Sequence, residues 1–263
     1  MSKFIILVSF MAACATELPT QSLADQGNDH AGSFRIAGGI AVEDRAYPFM
    51  VSLRHLPNEH FCGGSIISKQ WVLTAAQCMF GQTVSRVKVV AGTNKLDSGG
   101  TAVGIQRVII HPEYGNTSEK PNDIALIRLV SALTYSISIG QIPINTNKFD
   151  SYTTVTAIGW GSTKRDGPLS NKLLQYSTQT IPQTTCRGYW RRLTENQICT
   201  TFAPQKGICR GDSGGPLIDA KSKTQVGIAS VHCSRRYSRT YPDVYTRISE
   251  YVLWINSTLS ARS

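Results

Sequence analysis

The sequence predicts an all-β barrel or sandwich with one helix near the C-terminus, and three observations predict it. Short apolar or alternating runs recur along the chain, Gly or Pro punctuates the gaps between them, and no helical pattern separates one run from the next. The last point excludes a parallel α/β sheet, whose strands need crossover helices. A chain of 263 residues with 41% apolar content can bury one large domain core or two smaller ones.

Taken in order, residues 1–15 place Lys3 before the apolar run Phe4-Ile-Ile-Leu-Val-Ser-Phe-Met11 and end in Ala13-Cys14-Ala15. This is the pattern of a secretory signal peptide with an A-x-A cleavage site. Its apolar run is far shorter than the roughly 20 residues that span a bilayer, so a secreted, extracellular protein without membrane insertion is expected. Residues 16–35 are polar and aperiodic and read as a tail or pro-segment; the domain is expected over 36–263. Strand-like runs follow at 49–53, 71–75, 86–91, 107–110, 124–129, 154–158 and 225–231. Near the end, Ile248, Val252, Ile255 and Leu259 fall at spacings of four, three and four, the stripe of a one-faced helix.

Seven cysteines become six once Cys14 leaves with the signal, an even number suited to an oxidising compartment. Cys62, Cys78, Cys186, Cys199, Cys209 and Cys233 then form three disulfides in any of about 15 pairings, and no spacing resembles a metal site. No cofactor is implied. Asn116-Thr-Ser and Asn256-Ser-Thr match the N-glycosylation pattern, which also arises by chance. The formal charge of +10 points to acidic partners such as sulfated glycans, or simply to solubility; nucleic acid is excluded by the compartment and by the lack of a recognition motif.

Cys209-Arg210-Gly211-Asp212-Ser213-Gly214-Gly215-Pro216 resembles the nucleophile loop of the chymotrypsin-like serine proteases. In that family Ser213 would be the nucleophile, and the N–H groups of Gly211 and Ser213 would form the oxyanion hole. Asn122-Asp123-Ile124-Ala125-Leu126 resembles the segment whose aspartate orients the catalytic imidazole. Where the family has Leu-Thr-Ala-Ala-His-Cys, this chain reads Leu73-Thr74-Ala75-Ala76-Gln77-Cys78. Gln77 has no ionisable form and cannot take a proton from Ser213, so the general base is missing. The other histidines offer no replacement: His30 is in the pro-segment, His55 and His60 read as part of a polar loop, and His111 starts a His-Pro turn. His232 lies beside the expected substrate cleft.

The resemblance extends over nearly all of 36–259 and implies two antiparallel six-stranded β-barrels, the trypsin-like fold. It implies disulfides Cys62–Cys78, Cys186–Cys199 and Cys209–Cys233. Arg35-Ile36-Ala37-Gly38-Gly39 resembles the activation site, with Ala37 where Val is usual. Cutting after Arg35 by a trypsin-like protease would free the Ile36 amine to pair with Asp212. Gly207 falls at the floor of the specificity pocket, and Asp243 at a second pocket position from which a carboxylate could enter from the side. Pocket preference stays open between large apolar and basic side chains. Arg187, Arg191, Arg192, Arg210, Arg235, Arg236 and Arg239 lie in three segments that edge the family's cleft, either as a site for an acidic partner or as a solvated surface.

These readings combine into a protease homologue that acts by binding a protein or peptide, as a cofactor or decoy in a proteolytic or immune pathway. The alternative is an active serine endopeptidase of chymotrypsin-like or broad specificity.

Overall fold

A computed structural model describes residues 39–115, 117, 120–148, 151–163, 167–202, 207–231 and 241–261. The predicted signal peptide and pro-segment, Arg35, Ile36, Asn116, His232, Cys233, Arg235, Arg236 and Arg239 lie outside the described residues.

Two closed antiparallel barrels form the molecule. The first contains β2 (Met50–His55), β3 (Glu59–Ser68), β4 (Trp71–Thr74), β5 (Val87–Ala91), β6 (Thr101–Ile110) and β7 (Ala125–Leu129), in the ring order β2-β3-β4-β7-β6-β5. Val51, Leu53, Ile66, Leu73, Val89 and Leu126 are fully buried in its core. The second contains β8 (Thr154–Gly159), β9 (Leu174–Ile181), β10 (Gln197–Thr200), β11 (Pro216–Asp219), β12 (Gln225–Val231) and β13 (Val244–Arg247). Its ring β9-β10-β13-β12-β11-β8 closes through pairing of β8 with β9, and the short β1 (Ile40–Ala41) adds to β9. Closure leaves neither barrel with a bare row of backbone donors, which is how antiparallel sheets of this kind avoid edge pairing.

The predicted strands sit where the alternating runs placed them, with ends shifted by one or two residues for most and β6 starting well before its predicted run. The largest departure is β3. It lies outside every predicted run, and its centre, Cys62-Gly63-Gly64, is buried mid-strand, where Gly63 lies against the Ser213 turn and donates its N–H to Ser213 O at 2.8 Å. His55 and His60 are accordingly not in a polar loop. His55 ends β2, and His60 is a buried residue of β3.

The C-terminal stripe splits into a 3-10 turn at Ile248–Tyr251 and an α-helix over Val252–Ser260. Ile248 and Ile255 are buried, and Leu253 on the far face is 85% exposed. Asn256 is exposed on this helix. Disulfides join Cys62 to Cys78 and Cys186 to Cys199. Cys209 is buried, and Cys233, its expected partner, is outside the described residues. No helix among the described residues is long and apolar enough to cross a membrane.

Candidate active site

The register of the strands brings the site together. Thr74 pairs with Ala125 at the end of the β4–β7 ladder, so Gln77, on the single helical turn Ala76–Met79, meets Asp123, two residues before Ala125. Asp123 is fully buried and held by both barrels. Its backbone carbonyl accepts from Thr246 Oγ1 of β13 at 2.7 Å, and its Oδ2 accepts from Ser230 Oγ of β12 at 2.6 Å. The preceding Asn122 adopts a left-handed conformation, φ 56°, which its side chain secures through Tyr251, Asn196 and the Glu113 carbonyl.

Gln77 donates all of its hydrogens inside this cluster. Its backbone N–H donates to Asp123 Oδ1 at 2.8 Å, and its Nε2 donates to Asp123 Oδ2 at 2.8 Å and to the Ser230 carbonyl at 2.7 Å. Its Oε1 accepts from Lys120 Nζ. Lys120 is the functional residue that motif reading missed. Only its position, three residues before Asp123, hinted at it, and lysines in loops are common. Burial pushes the Asp123 carboxyl up, and hydrogen bonds from Ser230 and Gln77 together with the Lys120 charge oppose that rise. Burial likewise pulls the Lys120 ammonium down, opposed by Asp123. The pair shares one buried deficit of hydration, and each charge offsets the other.

Ser213 lies in the turn that leads into β11. Every carbonyl around it is held facing away: Arg210 O by Ser162 N at 2.8 Å, Asp212 O by Gly215 N at 3.0 Å, and Ser213 O by Gly63 N at 2.8 Å. The Gly211 carbonyl meets His60 Nε2 at 2.9 Å. In a trans peptide the N–H points opposite to the carbonyl. The N–H of Gly211 accordingly points away from Ser162 and that of Ser213 away from Gly215, and neither donates to a backbone acceptor among the described residues. Gly211 takes φ 98°, a conformation that favours glycine. Among the described residues Ser213 Oγ has no hydrogen-bond partner, Gln77 included.

His60 supports this turn. A carbonyl only accepts, so Nε2 must carry the hydrogen toward Gly211, and Nδ1 accepts from Ser52 Oγ at 2.8 Å. Ser52 Oγ in turn accepts from Nε of the buried Arg54 at 2.8 Å. Burial and the Arg54 charge hold His60 down at about 4, so it is neutral near pH 7 and is committed to the turn rather than to Ser213.

Asp212 is buried, its carboxylate accepting from Gly161 N at 2.7 Å and Cys209 N at 2.8 Å, and burial raises it to about 7. Gly207 and Asp243 do come together. A Cβ at Gly207, which has φ 147°, would stand 2.6 Å from Asp243 Oδ2, so the carboxylate fills the space a side chain at 207 would use. Asp243 Oδ2 accepts from Ile208 N at 2.9 Å, and burial, with a contribution from Asp212, raises its carboxyl to about 8. Of the arginines, Arg187 pairs with Glu195 at 2.8 Å, Arg191 and Arg192 are exposed, and Arg210 is exposed with a contact to Gly167 O at 3.4 Å.

Comparison with known proteins places these features in a family. The trypsin family model matches residues 36–255. The chain is 34% identical to Trypsin I-P38 of Gallus gallus over 98% of its own length and 99% of the relative's. It is 36% identical to Chymotrypsin-2 of Vespa crabro over 84% of its own length and 98% of the relative's. It is also 35% identical to a trypsin of Xenopus laevis, over 86% and 91% respectively.

Proposed function

The chain belongs to the trypsin family of serine proteases, and from that premise we propose that it keeps the family's binding cleft while having lost the hydrolytic step. It acts by binding a protein or peptide, as a cofactor or decoy in a proteolytic or immune pathway. The observation that carries this reading is the direction of the Gln77 amide, which is turned to Asp123, Ser230 and Lys120 and not to Ser213. Both of its hydrogens go to Asp123 and the Ser230 carbonyl, and its oxygen is taken by Lys120.

Attack by Ser213 needs a group that accepts the hydroxyl proton and later returns it to the leaving amine. An amide does neither near neutral pH, and this one is not directed at Ser213. Losing the histidine of a comparable triad costs about 10⁶-fold in turnover. The chain is secreted as a precursor and cut after Arg35 by a trypsin-like protease, and its arginine-rich cleft edge gives it affinity for acidic glycan or protein surfaces.

A second reading, an active endopeptidase, draws on the retained Asp123, Asp212 and Ser213 and on relatives named as trypsins. A serine-directed fluorophosphonate separates the two. Protein cut after Arg35 is expected to label no faster than its Ser213→Ala variant. Rapid labelling, lost on Ser213→Ala, would establish the enzyme instead.

A further inference from the structure

Losing a proton acceptor changes the serine as well as the histidine position. A nucleophilic serine in an intact triad donates its hydrogen to the imidazole. Here that hydrogen has no acceptor among the described residues, and the Gln77 oxygen is turned to Lys120 instead. The turn from Gly211 to Ser213 thus carries three hydrogen-bond donors without partners among the described residues: the N–H of Gly211, the N–H of Ser213 and the O–H of Ser213. The carbonyls of Arg210, Gly211, Asp212 and Ser213 are engaged by Ser162, His60, Gly215 and Gly63, so among the described residues the turn keeps its donors free while its own carbonyls are held elsewhere.

Backbone concavities of this kind bind anions and are used elsewhere to capture chain-terminal carboxylates. An internal peptide carbonyl has one oxygen to offer. A carboxylate has two, with about four lone-pair sites, and its bonds are charge-assisted. The negative groups already present do not oppose it strongly. Asp123 is offset by Lys120, and Asp212 directs its oxygens to the N–H groups of Gly161 and Cys209.

Resting on the reading that hydrolysis is lost, we infer that this turn is a receptor for the free C-terminal carboxylate of a peptide, the new end that another protease leaves behind. One carboxylate oxygen takes the two N–H groups and the other takes the Ser213 hydroxyl. The ligand class is therefore cleaved chain ends rather than intact chains.

The probe is a pair of hexapeptide libraries of the same randomised composition, one ending in a free carboxylate and one in a carboxamide. They are passed over the immobilised full-length chain cut after Arg35, and retained peptides are read by mass spectrometry. The best-retained sequence is then made in both forms and its affinity measured by fluorescence polarisation. The acid is expected to bind about tenfold or more tighter than the amide, as three charge-assisted hydrogen bonds would require. Ser213→Ala should weaken the acid by about fivefold and leave the amide unchanged. Gln77→His should also weaken the acid, because the ring reclaims the hydroxyl hydrogen. Equal affinity for acid and amide, or retention of neither, would overturn the inference while leaving the loss of hydrolysis intact. So would an acid preference that survives Ser213→Ala but vanishes in Arg191→Ala/Arg192→Ala. Shortened peptides in the eluate would instead overturn the reading on which the inference rests.

Discussion

Asp123 carries a charge into the interior between two barrels, and the partners it finds decide what the site can do. In an intact triad the imidazole shares that charge and becomes cationic as the serine is deprotonated. Here the charge nearest in sign and place is Lys120, which reaches the cluster through Gln77 Oε1 and whose ammonium burial pulls down while Asp123 holds it up. Lys120→Ala should leave Asp123 with donors but no nearby cation, pushing its carboxyl further up. With Lys120 only partly buried, a loss of about 1–2 kcal/mol in urea unfolding near pH 7 is expected, well short of the cost of breaking a fully buried pair. Lys120 also limits repair of the triad. In Gln77→His its ammonium would stand beside the new ring and disfavour the imidazolium that catalysis needs, so this variant should hydrolyse a peptide library only weakly. Gln77→His/Lys120→Leu should be several-fold faster, and the midpoint of its pH–rate profile should move to higher pH, since removing a like charge raises the ring's affinity for a proton. If the double variant were no faster and its profile did not move, Lys120 would not be a determinant of the site.

At the scale of elements, the Ser213 turn depends on a backbone conformation more than on side chains. A Cβ at Gly211 would lie 2.6 Å from Leu169 Cδ2 and 3.2 Å from Gly161 Cα, and φ 98° is strained for any L side chain. Gly211→Ala is therefore expected to cost about 1–3 kcal/mol and to swing the Gly211 N–H out of place. The thermal midpoint should fall, and binding of peptide acids should weaken more than binding of amides; an unchanged acid preference would show that this N–H is not used. The glycine motif made this turn legible in the sequence because the constraint is local. Strands such as β9, which buries Leu174, Tyr176, Thr178 and Thr180 in strict alternation, were there to be read but are diluted by Ser, Thr and Gln, whose hydroxyls and amides satisfy themselves only in the folded barrel. β3 was hidden for a different reason: Gly63 and Gly64 look like a turn until the neighbouring backbone that needs their missing side chains is in place. His60 and Lys120 escaped for the same kind of reason, because their partners, Gly211 at a separation of 151 residues and Gln77 at 43, are adjacent only after the barrels close.

At the scale of the whole molecule, two buried carboxylates govern how stability changes with pH. Asp212 is raised from 3.8 to about 7 and Asp243 from 3.8 to about 8, each chiefly by burial. A carboxyl that holds its proton more tightly when folded costs nothing while both states are protonated. It then subtracts stability as pH rises from its unfolded value toward its folded one. The uncut chain should accordingly lose stability steadily between about pH 4 and pH 8 from these two groups together. Cutting after Arg35 frees an α-amino group with an ordinary pKa of about 8. If that ammonium pairs with Asp212, it favours the ionised carboxylate, lowers its pKa and removes that residue's share of the loss. The thermal midpoints of cut and uncut protein should then coincide near pH 4, separate as pH rises through 5 to 7 with the cut form the more stable, and converge again at alkaline pH as the amine gives up its proton. Asp243 keeps a downward slope in both forms, so Asp243→Asn should flatten both curves between about pH 4 and pH 8. Parallel curves for cut and uncut protein across pH 4–8 would mean that the new amine never reaches Asp212 and that the activation cut has no structural consequence in this chain.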